Sequence, residues 1–348
     1  MTTRSNQAKK LAGLARGMRA AIIVPSLFAL GLLVIKQPQM AGFSVFGTFG
    51  HLVMVNYSQT RATRAAQAAT LTLLGVLLVC LGTFVSANSW TAAAGAMAVG
   101  FLSEWPAVAR GHVAVVRTAL LLSFMLAVAI PTPLRFVVPQ LLGWLLAGMV
   151  AQPLLQVIWI PIRPAPHTGE EPARSSVVGS SHWLGNAGFN GLAMGLAVLT
   201  AHALRVSHAF WVVLGVLPVL SARGAVPSRI FWHEQAGTVL GFVVGAALVA
   251  VMGAHQQVYW IALACVTLFS AYASTAIGFV VGQAAFTVFA VVLFCILAPT
   301  QVQVGRLRVE DIAIGGVLGL LLASLQRLGQ RMFAAKTGTG PSDTDNKR

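Results

Sequence analysis

Arginines set within or beside long apolar stretches are the residues of this 348-residue chain best suited to do chemistry. Arg117 lies about five residues into the apolar run HVAVVRTALLL. A guanidinium at that depth is costly, so it must either face a path that an anion can enter or snorkel to the headgroups. Arg61 and Arg229 open two similar basic stretches, SQTRATRAAQAAT and SARGAVPSRIFWHEQAGT, with Arg64 and Arg223 adding charge beside them. Guanidinium groups grip carboxylates with two parallel hydrogen bonds, so these positions read as candidate binding groups for organic anions. The competing reading is that they are ordinary interfacial anchors.

The acids are fewer and correspondingly informative. Glu170, Glu171, Asp343 and Asp345 fall in polar stretches, which leaves Glu104, Glu234, Glu310 and Asp311 near apolar segments. Glu234 follows His233 at the expected start of a helix, where a carboxylate also suits the helix N-terminus. Glu234, His233 and Glu104 are the proton-coupling candidates, with Glu104 expected beside Arg110. Glu310 and Asp311 are expected to cap the outer start of the last helix next to Arg306 and Arg308. His51, in an apolar run, is either a titrating group at a binding site or a buried, hydrogen-bonded structural histidine.

Enzyme chemistry finds no foothold. No HExxH, GxSxG, phosphate-binding loop or His/Cys cluster with metal spacing occurs, so neither catalysis nor a cofactor nor a metal is expected. Cys80, Cys265 and Cys295 lie within apolar runs and read as small core hydrophobes.

The elements that must position these groups are membrane helices. With 57% hydrophobic and 9% charged residues and a mean hydropathy of +0.80, the chain is more apolar than one soluble core requires. Apolar runs near the ~20 residues that cross a bilayer are read at 18–35, 41–57, 67–86, 91–105, 112–130 and 136–159, then at 187–204, 208–222, 235–253, 257–276, 278–298 and 310–328. The net charge of +15 is spread over short connections rather than gathered on a soluble face, which speaks for anionic lipid headgroups and against nucleic acid.

The second series repeats the first at an offset of 168 residues. Pro131-Thr132 recurs as Pro299-Thr300, Thr70 as Thr238, Gln67 as Gln235, Arg61 as Arg229 and Gly47 as Gly215. An even number of helices per repeat predicts a parallel pseudo-twofold along the membrane normal, with the site at the repeat interface. The expected fold is therefore all-α, twelve transmembrane helices in two six-helix repeats. The expected segments are 1–17 (cytoplasmic), 18–159 (first repeat), 160–184 (linker), 185–330 (second repeat) and 331–348 (disordered tail). With the N-terminus inside, 18 of the 23 Lys and Arg residues fall on the inner side and five (Lys36, Arg135, Arg205, Arg306, Arg308) on the outer, which supports two cytoplasmic termini in the plasma membrane. Because one chain holds two repeats, it can form a pseudo-dimeric pore alone.

The stretch from Phe210-Trp211 to Arg223-Gly224, followed by Arg229, Gly237-Thr238, Gly241 and Gly245 and then by Arg308, Asp311 and Gly315, resembles the fusaric acid resistance family. That family is related to aromatic acid exporters and, more distantly, to plant aluminium-activated malate channels. The first half carries a degenerate copy, with Ala69-Thr70 in place of Gly237-Thr238. The resemblance implies efflux or conduction of organic anions, often aromatic carboxylates, and adds Trp211 to the binding candidates Arg117, Arg61, Arg229, Arg223 and His51. The other reading is a non-transporting envelope subunit that packs against another membrane protein or a lipid assembly. A polar path through the bundle distinguishes the first from the second.

Overall fold

The computed structural model describes residues 2–58, 60–105, 111–129, 131–157, 180–206, 209–220, 226–253, 255–297 and 304–337. Among these there are twelve α-helices and no strand. They are α1 (Thr2–Ala29), α2 (Pro38–Phe49), α3 (Arg61–Val85), α4 (Ser89–Ser103), α5 (Gly111–Val128) and α6 (Val137–Val157). The second series is α7 (Ser180–Ala203), α8 (Phe210–Leu220), α9 (Pro227–Met252), α10 (Gln256–Ala276), α11 (Phe279–Leu297) and α12 (Val304–Thr337). Wider π-helical turns extend α1 over Leu30–Val34 and α2 over Gly50–Met54.

Nine of the twelve are long and apolar enough to cross a bilayer; α2, α4 and α8 are not. A helix of 11 residues, such as α8, reaches only about 17 Å. Most of the side chains of α2 and α8 are buried in protein, so neither helix has to satisfy the length that lipid imposes. Helical structure also extends past the boundaries expected from composition. It takes in the expected cytoplasmic segment from Thr2, Ser180 to Leu184 of the expected linker, and the expected tail as far as Thr337. The rest of the linker to residue 179 and the tail beyond 337 lie outside the described residues.

Helix pairing follows a pattern that repeats six helices on. In the first half α2 packs on α6, α3 on α5 and α6, and α1 on α2. In the second α8 packs on α12, α9 on α11 and α12, and α7 on α8. Two cross-half pairs, α4 with α7 and α10 with α1, join the halves. Lys36 (φ 57°) and Arg205 (φ 52°) are both left-handed at the turns into α2 and α8. Gly47 meets Trp144 and Ala147 of α6, while Gly215 meets Ile312 and Gly316 of α12; Trp144 and Ile312 stand at the same 168-residue offset.

Close approach of backbones explains these glycines better than helix breaking does, since membrane helices associate through small residues. Gly315 has the tightest surroundings: a Cβ there would collide with the carbonyl oxygen of Val212. Gly315→Val is therefore expected to cost roughly 1–3 kcal/mol by overpacking. Gly42→Ala, with nothing within 4 Å of the added carbon, is expected to be nearly neutral. Denaturant titration of the two variants in detergent checks the difference.

The deepest core gathers around α5 and α11, with Phe124, Val128, Phe289 and Val292 fully buried. Cysteines depart from the expected core role in part. Cys80 and Cys295 are half-buried, but Cys265 is exposed on α10.

Candidate functional site

Between the halves lies a cavity of about 1340 Å³. Its walls come from α2, α4, α5 and α6 of the first half and from α7 to α12 of the second. One end is lined by Glu104 at the close of α4, Asn186 early in α7, Pro227 at the start of α9, Phe279 at the start of α11 and Arg327 late in α12. These helix ends share the face on which the chain starts, since Gly13 of α1 lies against Thr275 and Ala276 at the end of α10. The cavity thus opens toward that face.

Its inner end is aromatic. Phe46 and Phe49 of α2 meet Phe210 of α8 and Phe286 of α11, with ring centroids 5.4 Å apart for Phe46 and Phe210 and 5.5 Å for Phe49 and Phe286. Phe289 stacks on Phe286 at 5.7 Å, and Trp211 lies 6.2 Å from Phe46. Edge and tilted contacts of this kind add to the apolar area that the rings bury, so these rings form one packed aromatic cluster beside the cavity. The short helices α2 and α8 carry most of it.

Arg117 sits in the wall near the open end. Its Nη1 donates to the carbonyl oxygen of Ser103 at 3.2 Å and lies 3.4 Å from Oε1 of Glu104. The side chains are 32% and 20% exposed, which leaves the guanidinium within reach of a solute in the cavity. Glu104 is thus beside Arg117; its expected neighbour Arg110 is outside the described residues. Asn190 donates to the carbonyl oxygen of Gly100 and to the Ser103 hydroxyl, both at 3.3 Å, and Gln326 donates to Asn186 at 3.1 Å. Asn186 and Asn190 were not among the sequence candidates. Their i, i+4 spacing in an apolar run was the available signal.

Glu234 departs from the expected helix cap. Because α9 begins at Pro227, this residue lies two turns inside, with its side chain fully buried against the cavity wall and no hydrogen bond to either carboxylate oxygen. Arg308 and Asp311 of α12 approach the same region and are themselves 1% and 4% exposed, within electrostatic range of each other and, for Arg308, of Glu234. The expectation of an exposed cap at the outer start of α12 therefore fails for Arg308 and Asp311, which are buried; the exposed pair there is Arg306 with Glu310, 2.7 Å apart. The Arg308 guanidinium lies 4.0 Å over Trp211 and 4.9 Å from the Phe286 ring, and its Nε donates to Thr287 at 3.1 Å. Trp211 is consequently a support for Arg308 behind the cavity wall.

The other candidates are dispersed. Arg61 and Arg229 are exposed at the starts of α3 and α9, and neither lines the cavity. Arg223 lies outside the described residues. His51 is fully buried, its Nδ1 2.8 Å from the carbonyl oxygen of Gly47 and its Nε2 3.0 Å from the Thr72 hydroxyl, which is the structural alternative. His233 is half-exposed, turned away from the buried face that holds Glu234. No group of His, Cys, Asp and Glu among the described residues is placed to hold a metal ion.

A bundle of long apolar helices around a polar and aromatic cavity is a multi-pass membrane protein. Residues 196–322 match the model of a family described as fusaric acid resistance protein-like, in agreement with the resemblance carried by Arg308, Asp311 and Gly315. No curated protein and no solved structure matches the chain.

Proposed function

We propose that the protein is a gradient-driven transporter of organic anions, with aromatic carboxylates as the substrate class. The observation that carries this reading is the cavity between the halves, lined by Phe46, Phe49, Phe210 and Phe286 as well as by Arg117. Phenyl walls suit an aromatic body, and Arg117 suits a carboxylate that displaces Glu104 from it. A packed apolar interior, as a purely structural subunit would have, is not what lines these helices. The recurring helix pairs support two parallel repeats that rock about the cavity. The excess of Lys and Arg on the cavity's open face supports cytoplasmic termini and an inward-facing state.

Glu234 is the proton carrier in this reading. A carboxylate without donors in a dry site is expensive while the neutral acid is tolerated, so its charge depends on contact with cavity water or with Arg308. His233 lacks that burial, and Glu104 is engaged with Arg117.

Flux into proteoliposomes containing the purified chain tests the proposal. Aromatic carboxylates are expected to move faster than aliphatic dicarboxylates of similar charge, and a pH gradient is expected to accelerate accumulation. Glu234→Gln is expected to abolish that acceleration. Absence of protein-dependent flux for every carboxylate overturns the transport reading; an unchanged gradient response in Glu234→Gln overturns the role of Glu234 alone.

A further inference from the structure

We propose that Arg16 and Arg19 of α1 and Arg64 of α3, with Tyr57 and Gln156, form a binding site for a phosphate group, separate from the central cavity. None of the five lines that cavity. Arg16, Arg19 and Arg64 are 8%, 5% and 3% exposed, and Arg19 lies within electrostatic range of both of the others. Arg16 and Arg19 form an ion pair with no Asp or Glu among the described residues. Three like charges held together away from water repel one another, and an anion among them removes that cost.

The hydrogen-bond balance defines the ligand further. Arg16 donates to Asn56 at 2.6 Å, and Arg64 donates to the carbonyl oxygen of Ser58 and to Gln156 Oε1, each at 3.4 Å. Buried and without an acceptor in the same cluster are Nη1 of Arg19, the hydroxyl of Tyr57 and Nε2 of Gln156. Each of these atoms can donate. The cluster around Glu234 and Arg308 differs, because donors and acceptors there are mixed. A surplus of donors alone calls for an oxyanion, and a phosphate group sets four oxygens around a tetrahedral centre, where a carboxylate sets two in one plane.

Symmetry separates this site from the translocation path. The positions 168 residues on from Arg16, Arg19, Tyr57, Arg64 and Gln156 are Leu184, Ala187, Ala225, Trp232 and Ser324, none of them ionisable. The site is thus a feature of the first half only, and it does not depend on the transport reading. The phosphate can belong to an anionic lipid headgroup or to a soluble phosphate ion, and both present the same chemistry to the arginines.

Thermal unfolding of the full chain in uncharged detergent, with inorganic phosphate or with phosphatidylglycerol added, distinguishes these sources. The wild type is expected to unfold at a higher temperature with at least one of them. A response to phosphatidylglycerol alone assigns a lipid headgroup, and a response to inorganic phosphate alone assigns a soluble ion. Arg19→Gln is expected to weaken the response about tenfold or more in ligand concentration, as loss of a charged hydrogen-bonding group does. In detergent without anions, the same variant is expected to be at least as stable as the wild type, because it removes a repelling charge. Arg19→Gln unfolding earlier than wild type without anions would make Arg19 a structural strut and overturn the proposal. So would a wild type indifferent to both additives, or a variant that responds as the wild type does.

Discussion

Replacing Arg308 with leucine is expected to destabilise the folded protein by about 3–5 kcal/mol, the largest single-residue effect foreseen here. Arg308 is nearly fully buried, with its guanidinium on the faces of Trp211 and Phe286 and its charge near Glu234 and Asp311. Removing it leaves two buried acids with no cation between them, as well as losing the stacking on two rings. Lysine restores the charge but cannot stack as a planar group, so Arg308→Lys is expected to recover only part of the loss. Adding Glu234→Gln to Arg308→Leu is expected to recover part by another route, because one of the stranded acids becomes neutral. Denaturant titration in detergent of the two single variants and the double variant measures that coupling. A loss below about 1 kcal/mol for Arg308→Leu, the range of an exposed pair, would show that the cluster is not buried as described.

Arg117→Ala is expected to lower carboxylate flux by at least about tenfold while changing stability by less than about 1 kcal/mol. The two effects separate because the Arg117–Glu104 pair is partly exposed in the cavity wall. Such pairs contribute little to folding, whereas a substrate carboxylate loses its charge partner entirely. Arg117→Lys is expected to fall between alanine and wild type, since it retains charge but not the two-pronged geometry. Glu104→Gln supplies the opposite case: it frees Arg117 from its competitor and is expected to lower the half-saturating substrate concentration. Flux at matched protein levels in liposomes gives all three values. Undiminished flux in Arg117→Ala would make the residue an interfacial anchor.

The class of molecule is legible in the sequence. Composition and the length of the apolar runs gave a helical membrane protein, and the positions of its helices followed from where those runs are broken by Pro, Gly and charges. An offset of 168 residues between the halves was read from the sequence, and α2 pairs with α6 as α8 pairs with α12. Arg117 was singled out because a charge in an apolar run is conspicuous, and it does touch a helix carbonyl, Glu104 and the cavity.

Direction was not legible. A membrane helix is apolar on its lipid side and on its protein side alike, so periodicity does not reveal which way a side chain points. Arg61 and Arg229, equivalent in sequence, read as binding groups for an organic anion and instead lie exposed at separate helix starts. Asp311 read as an end cap beside Arg308 in a basic and acidic run, yet both face into the bundle while Arg306 and Glu310 on the same turns face outward. Glu234 was misjudged through the start of its helix, because the polar stretch before it, from Pro227, is itself helical. The arginine cluster on α1 and α3 joins residues up to 140 positions apart, from Arg16 to Gln156, and only packing could bring them together. Sequence by itself determined the helical class and the excess of positive charge, because each depends on local composition. Tertiary structure alone decided which helices stay short inside the bundle, where the cavity lies and which charges meet there, because these depend on how twelve similar apolar surfaces pair.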